Sequence, residues 1–346
     1  MTKRAAIILA GGKAQRFQTN QENWRDKALA ELDGKPLLIH AIENVRDVVD
    51  EIVVVVNEEA RKSKYQNILA IHQIEKVKIV TDIKIDHLSG PFIAILTGLK
   101  FADANYCLTI PADMPMLSRK VADYLFNEIK DSYVAVPMWP NGSLETLLMV
   151  LERSKTLKIV NLLCQLRRDR PDGIIRGALN VFFVSPLAEI KVLDPELKSF
   201  VNINCQDDLS RLQPRQGQGP VTGNLRLKLG VLPIEQLNLL HEASSERENF
   251  EFMEAAKIFS SCADDLEKGN SFFWAGIGRE YEAKSWLSLS ELNNKGELTR
   301  KMQDAFLKAA TNYGAEAAIY EKNHCYLLAE RAKADKSWCE SQIKVK

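Results

Sequence analysis

Ala5-Ala6-Ile7-Ile8-Leu9-Ala10 is an apolar run that stops at Gly11-Gly12, and Lys13-Ala14-Gln15-Arg16-Phe17 follows at once. A near-continuous apolar run is what a parallel strand shows when helices cover both its faces. Paired glycines after it let the backbone turn sharply and bring its N–H groups up to phosphate oxygens. Working outward, Pro36 to Val48 reads as a helix, Ile52-Val53-Val54-Val55-Val56 as a β-branched strand, and Val77-Lys78-Ile79-Val80 as another. Ile93 to Phe101 reads as a helix, Tyr106 to Ile110 as a strand closed by Pro111, and Tyr133 to Val136 as a strand before Pro137. Strands that alternate with helices predict an α/β unit: a mostly parallel, Rossmann-like sheet with helices on both faces. Ligands of such sheets bind at the carboxyl ends of the strands.

A break is expected at Gln213-Pro214-Arg215-Gln216-Gly217-Gln218-Gly219-Pro220, which is rich in turn-formers and holds no large apolar residue. The reading is therefore a first unit over 1–212, a linker over 213–223 and an all-helical unit over 224–346 that folds separately. In that tail Phe252, Ala255, Ala256, Phe259, Ala263 and Leu266 fall at helical spacing, as do Leu298, Met302, Ala305, Phe306, Ala309 and Tyr313. Further helical stretches near Phe273 to Leu292 and Ala315 to Arg331, with Asn293 to Gly296 between the pairs, predict two helical hairpins. Their loose echo of each other is similar to tetratricopeptide-like repeats; a plain helical bundle with aromatic core stripes reads the same residues equally well.

Composition narrows the function classes. The chain has 346 residues, long enough for two units, with 46% hydrophobic and 27% charged residues, which excludes a collagen-like or disordered protein. Forty-six Lys plus Arg balance forty-six Asp plus Glu, so no net field favours nucleic acid or an anionic membrane, and neither is expected as a partner. The apolar runs have strand length, far below the roughly twenty residues of a membrane span. Met1-Thr2-Lys3-Arg4 leads straight into the first strand without a small-residue cleavage site, so secretion is not expected. Cys107, Cys164, Cys205, Cys262, Cys325 and Cys339 are scattered and form no C-x-x-C pair, which disfavours a zinc site or disulfide framework and reads as reduced thiols of a cytoplasmic protein.

The glycine turn is neither G-x-G-x-x-G nor a P-loop, so a redox dinucleotide enzyme or a Walker-type ATPase is disfavoured. Leu9-Ala10-Gly11-Gly12 with Arg16-Phe17, then Asp26-Lys27-Ala28-Leu29, then Gly34-Lys35-Pro36-Leu37-Leu38 resembles the nucleotidyltransferase family of molybdenum cofactor guanylyltransferases. Gly90 to Leu99, preceded by Asp82, resembles that family's G-P-L-A-G-I-x-x-G-L block. Pro111-Ala112-Asp113-Met114-Pro115 resembles its P-C-D-x-P, and Phe200 to Leu209 its F-x-N-I-N-T-P-E-D-L. The blocks keep their order over residues 5–209.

The resemblance implies transfer of GMP from GTP to the phosphate of molybdopterin, with Mg²⁺ as cofactor and pyrophosphate leaving. It implies catalytic roles for Arg16, Lys27 and Asp113, with Asp113 as metal ligand. It places the nucleotide against Leu9, Ala10, Gly11, Gly12, Lys27, Asn57, Asp82, Gly90 and Asp113, and the acceptor near Asn202 and Asn204. Each residue has a plainer reading: Asp113, Asn57 or Asp82 as a helix cap, Lys27 as a solvated cation, the asparagines as an Asx-turn. Arg167, Arg168, Arg170 and Arg176 could meet an acceptor phosphate through forked contacts, though such basic clusters are ordinarily solvated faces. The chain departs from the family in a longer stretch from Phe17 to Asp26, in Gln18 where a glycine is expected, and in Thr146-Leu147 where Pro-Leu is common. Those departures leave open a related transferase using CTP or another acceptor, such as a sugar phosphate or cobinamide phosphate. Also open is a nucleotide-sensing interaction protein whose helical tail docks a protein partner.

Overall fold

A computed structural model describes residues 2–12, 26–86, 88–205, 208, 212, 219–293 and 296–344. Its centre is β1 (Arg4–Leu9), flanked by parallel partners on both sides, β4 (Glu51–Val56) and β6 (Tyr106–Pro111). β5 (Val77–Thr81) extends the sheet in parallel beyond β4. Ala5 to Ile8 and Val53 to Val56 are completely buried, as strands sandwiched between helices must be.

One face is covered by α1 (Leu37–Val45), α2 (Glu59–Ile71) and α4 (Arg119–Glu128), and the other by α3 (Pro91–Phe101) and α5 (Arg153–Gln165). α3 lies so close to β1 that a Cβ on Gly98 would come within 2.2 Å of Ile7 Cγ2. A two-residue turn at Asp33-Gly34, both with positive φ, closes the small ribbon of β2 (Glu31–Leu32) and β3 (Lys35–Pro36). The strands predicted in the first half are thus present within a residue or two.

The second half of the sheet departs from simple alternation. β7 (Val134–Pro137) and β9 (Asn180–Val184) run parallel to each other, but β8 (Met149–Glu152) inserts antiparallel between β6 and β7. α6 (Asp172–Ala178) precedes β9. The strand order is β10-β9-β7-β8-β6-β1-β4-β5. Sequence reading misses β8 because Leu147 to Leu151 is a short apolar run whose periodicity does not separate strand from buried helix.

β10 (Leu225–Lys228) pairs antiparallel with β9. Residues 225–228, expected in an all-helical unit, are therefore part of the sheet. Five helices follow: α7 (Ile234–Glu248), α8 (Phe252–Lys268), α9 (Phe272–Asn293), α10 (Gly296–Lys322) and α11 (Tyr326–Ile343). α7 lies outside the expected hairpins, and the helices expected at 298–313 and from 315 are one continuous α10. Gly314 does not break it, because Asn312, Tyr313, Glu316 and Ala317 on either side are buried against neighbouring helices, and packing overrides propensity.

The tail does not stand apart. Ile7, Val53 and Val55 of the sheet share one apolar core with Ile159 of α5, Ala178 of α6, and Phe259, Trp274 and Phe306 of the tail. Arg176 of α6 forks onto Glu316 of α10 with both bonds at 2.7 Å, and the two side chains are only 4% and 3% exposed. Trp274 donates its indole N–H to the Gly177 carbonyl at 2.9 Å. The turn-rich composition of 213–220 predicts a separable tail; residues on either side of it are in buried contact in the structure. Among the described residues no helix is long and apolar enough to cross a membrane, and all six cysteines are free thiols.

Candidate active site

The carboxyl ends of β1, β4, β5 and β6 open onto one cavity of about 680 Å³. Leu9, Ala10, Gly11 and Gly12 line it from β1, Asn57 from β4, Asp82 from β5, and Pro111, Ala112 and Asp113 from β6. Gly90 and Pro91 close it at the start of α3, and Lys27 enters beside Asp26 and Ala28. Residues from four sequence blocks thus meet where strand order switches across β1, the place where sheets of this kind bind ligands.

The loop after β1 is held by the strands beside it. Ala10 N–H donates to Val55 O at 2.9 Å and Ala112 N–H donates to Leu9 O at 3.1 Å. Gly11 is needed for close approach, since a Cβ there would lie 3.1 Å from the Asn57 backbone nitrogen. Gly12 differs: a Cβ there meets no heavy atom within 4 Å. Gly90 has φ +90°, a conformation that side chains rarely tolerate, and it caps α3 just before Pro91.

Beneath this loop lies a support that the motifs do not announce. Arg61 of α2 donates to the Ala10 carbonyl at 3.1 Å and to Gly12 O at 3.4 Å, and its Nε pairs with Asp26 Oδ2 at 3.1 Å. The Tyr65 hydroxyl sits 3.1 Å from both Asp26 oxygens and 3.3 Å from Ala10 O. Burial, and then the Asp26 charge, push the Tyr65 phenol well above its ordinary value, so it stays a donor. Asp26 also accepts from Ala28 N at 3.2 Å and so starts the short turn Lys27–Leu29. Asp26 is structural, and it fixes the residue beside it. The only sequence signals for this support are the Arg and Tyr four apart, both facing inward from a polar helix.

Lys27 brings a cation to the strand ends. Its ammonium is ion-paired with Asp113 Oδ2 and lies 3.4 Å from Asn204 Oδ1. The second Asp113 oxygen, Oδ1, is buried and has no hydrogen-bond partner. The cap reading of Asp113 does not hold, because α4 begins after Ser118. Instead the Asp113 carbonyl accepts from Ile203 N at 2.9 Å, which ties the segment carrying the two asparagines to the end of β6. Asn204 thereby reaches the lysine. Asn202 is not part of the cavity wall and turns its amide back to Phe200 O at 3.4 Å. Asp208 accepts from the backbone of Asn204 and Cys205 at 2.6 and 2.9 Å, a turn made by the aspartate and not by the asparagine side chains of the Asx-turn reading.

Asp82 follows β5, its N–H donating to Val56 O at 2.7 Å. Its Oδ1 is buried without a partner. Burial pushes the carboxyl up to about 6, and a hydrogen bond with Thr97 offsets this only in part. Neither Asp82 nor Asn57 is a helix cap, since α2 begins after Glu58 and α3 after Gly90. Lys84 lines the same cavity and was missed, since nothing in its short loop marks it. Arg16, and with it residues 13–25, lies outside the described residues. Among the described residues no group of three or more His, Cys, Asp or Glu side chains forms a metal cluster.

The expected arginine cluster does something else. Arg168 pairs with Glu280 and Asp335, Arg176 with Glu316 and Asp335, and Arg170 with Asp172. These guanidiniums join the sheet unit to the tail or pair locally, rather than facing the cavity.

The family of MobA-like NTP transferase domains matches residues 6–176. The probable molybdenum cofactor guanylyltransferase of Methanosarcina acetivorans is 29% identical over 224 residues, which are 65% of this chain and 94% of its own length. That of Thermococcus sibiricus is 33% identical over 146 residues, 41% of this chain and 65% of its own. A crystal structure of molybdopterin-guanine dinucleotide biosynthesis protein A from Archaeoglobus fulgidus is 22% identical, covers 61% of this chain and 96% of that one, and has a TM-score of 0.49. Gly11, Asp82 and Asp113 all fall inside the matched span, and residues 6–176, just under half of the chain, are similar to a MobA-like NTP transferase domain.

Proposed function

We propose that the protein transfers GMP from GTP to the phosphate of molybdopterin, releasing pyrophosphate. The observation that carries this reading is the Lys27 and Asp113 pair at the mouth of β6, lining a cavity walled by the glycine turn after β1, with Asn204 behind the lysine at 3.4 Å and, like Asn202, outside the cavity wall. Phosphoryl and nucleotidyl transfers need little covalent chemistry from the protein, only positioning and charge. Backbone N–H groups of the turn at Gly11 and Gly12 approach the phosphates, and the Lys27 ammonium neutralises charge on them. Asn204 holds that ammonium from the side on which the acceptor phosphate arrives.

The residues present suit Mg²⁺. Asp113 has a buried carboxylate oxygen with no partner, and Mg²⁺ characteristically takes one or two carboxylates with the substrate's phosphates supplying the rest. Asp113 would hold the ion, which when bound adds positive charge against the triphosphate. The choice of guanine is supported by the names of the relatives and by the unpartnered oxygen of Asp82, since guanine offers N1–H and N2–H donors that a carboxylate accepts. An intact lysine and aspartate pair separates this reading from a nucleotide sensor without activity. Purified protein supplied with molybdopterin, Mg²⁺ and each NTP in turn should release pyrophosphate with GTP. Release with CTP at the same rate would overturn the choice of base.

A further inference from the structure

A second cavity, of about 470 Å³, lies where the end of α5 meets the tail helices α7, α9 and α11. That volume is within the range of about 300–1,000 Å³ typical of small-molecule sites. Its edge is tied by Gln165, which donates to His241 O at 3.3 Å and to Ser245 Oγ at 3.1 Å, and by Tyr281, whose hydroxyl bonds to Leu166 O.

Four cations face it, and they fall into two kinds. Arg168 and Lys284 are neutralised, both by Glu280 and Arg168 also by Asp335. Among the described residues, Arg167 and Arg247 line the same space with no carboxylate partner and no side-chain hydrogen bond, and Arg247 Nε is buried without an acceptor. Both stand at or just past helix C-termini, where a cation is favoured, yet neither guanidinium bonds the carbonyls there. A buried donor left unpaired is costly, and elsewhere the protein avoids that cost: Arg168 and Arg176 at this interface and Arg279 within the tail each have acids. Besides Glu280 and Asp335, which are taken up by Arg168 and Lys284, the wall carries the Glu248 carboxylate, Ser244 and two aromatic rings, Tyr281 and Trp338. Lys284 Nζ lies 4.2 Å from the Tyr281 ring centre and 5.0 Å from that of Trp338, whose side is open to solvent.

From this we infer that the cavity between α5 and the tail is a second ligand site, distinct from the nucleotide cavity, for a phosphorylated planar ring compound. Two forked guanidiniums match phosphate oxygens, and an indole and a phenol match a flat ring. No residue of this cavity lines the first one, so the inference does not depend on the proposed transfer.

GMP and inorganic phosphate serve as probes, titrated into the full chain by calorimetry while Trp338 fluorescence is followed. GMP should bind and quench the fluorescence, and binding should weaken at least tenfold in Arg247→Gln and in Arg167→Gln. Arg167 is exposed and unpaired, so its variant folds even if the other does not. Lys27→Met, which acts only on the first cavity, should leave the quench in place. An isotherm and quench unchanged in both arginine variants would overturn the assignment, as would a quench lost in Lys27→Met. GMP binding no tighter than inorganic phosphate would overturn the planar-ring half of it.

Discussion

Asp113 gives one oxygen to Lys27 and keeps the other buried and unpartnered, so replacing the carboxylate removes both the lysine's anchor and the expected Mg²⁺ ligand. Asp113→Asn should fold normally and lose transfer by about a hundredfold or more, a loss typical of removing one charge-stabilising group. Near-normal turnover of the pure variant would show that the carboxylate has no such role. Asp82 allows a test with a sign. Its folded value is about 6 against an ordinary 3.8, so the buried carboxylate is a cost to stability above pH 6 that is relieved as pH falls through 6. As a donor-accepting group it works only when ionised, so GTP affinity should fall as pH drops through about 6. Asp82→Asn should flatten that pH profile, weaken GTP against other NTPs, and raise stability at neutral pH by roughly 1 kcal/mol after allowing for its partial exposure. A profile unchanged by the substitution would place the titrating group elsewhere.

The elements explain what could be read beforehand and what could not. β1, β4, β5 and β6 were legible because strands buried on both faces must be apolar throughout, and Gly11, Asn57, Asp82 and Asp113 could be placed at the strand ends because each follows such a run. The Arg61 and Tyr65 support was not legible, because a polar helix with two inward-facing polar side chains has the same periodicity as a solvated one. Asn202 and Asn204 look equivalent two residues apart, yet on an extended segment that spacing does not fix rotamers, and only Asn204 reaches Lys27. The two glycines of the turn are likewise separable only in three dimensions. Gly11 is required by the approach of Asn57, while Gly12 has open space where a side chain would go, within the cavity wall. Gly12→Val should therefore melt near the wild-type temperature and bind nucleotide at least tenfold more weakly, since the side chain takes the ligand's place. Unchanged affinity in calorimetry would reduce the turn to a structural one.

At the scale of the whole molecule, the tail is a structural partner of the transferase unit. Composition suggests a boundary at residues 213–220, but composition does not register β10 pairing with β9, nor Arg176 forking onto Glu316 some 140 positions away. A chain ended after Leu212 would strip Phe273 and Trp274 from the core and expose to water the apolar surface they cover, while in the full chain it is loss of Glu316 alone that would leave the Arg176 charge buried with one partner fewer. Breaking a buried pair from one side costs about 3–5 kcal/mol, a large part of a domain's stability. The truncated chain should be insoluble or lack a cooperative melt, and Glu316→Ala in the full chain should lower the melting temperature by several degrees. A truncated chain that is soluble and binds nucleotide would restore the separable tail.

If the cavity at the ends of β1, β4, β5 and β6 carries out the proposed guanylyl transfer, the α-phosphate of GTP must pass to the acceptor. The full chain is incubated with GTP labelled on the α-phosphate, molybdopterin and Mg²⁺, and the label is followed by chromatography while pyrophosphate is assayed. Label should move into a molybdopterin–GMP product with one pyrophosphate released for each, and both should vanish in Lys27→Met and Asp113→Asn. Label that remains in GTP, or moves equally well in those two variants, would contradict the proposed transfer.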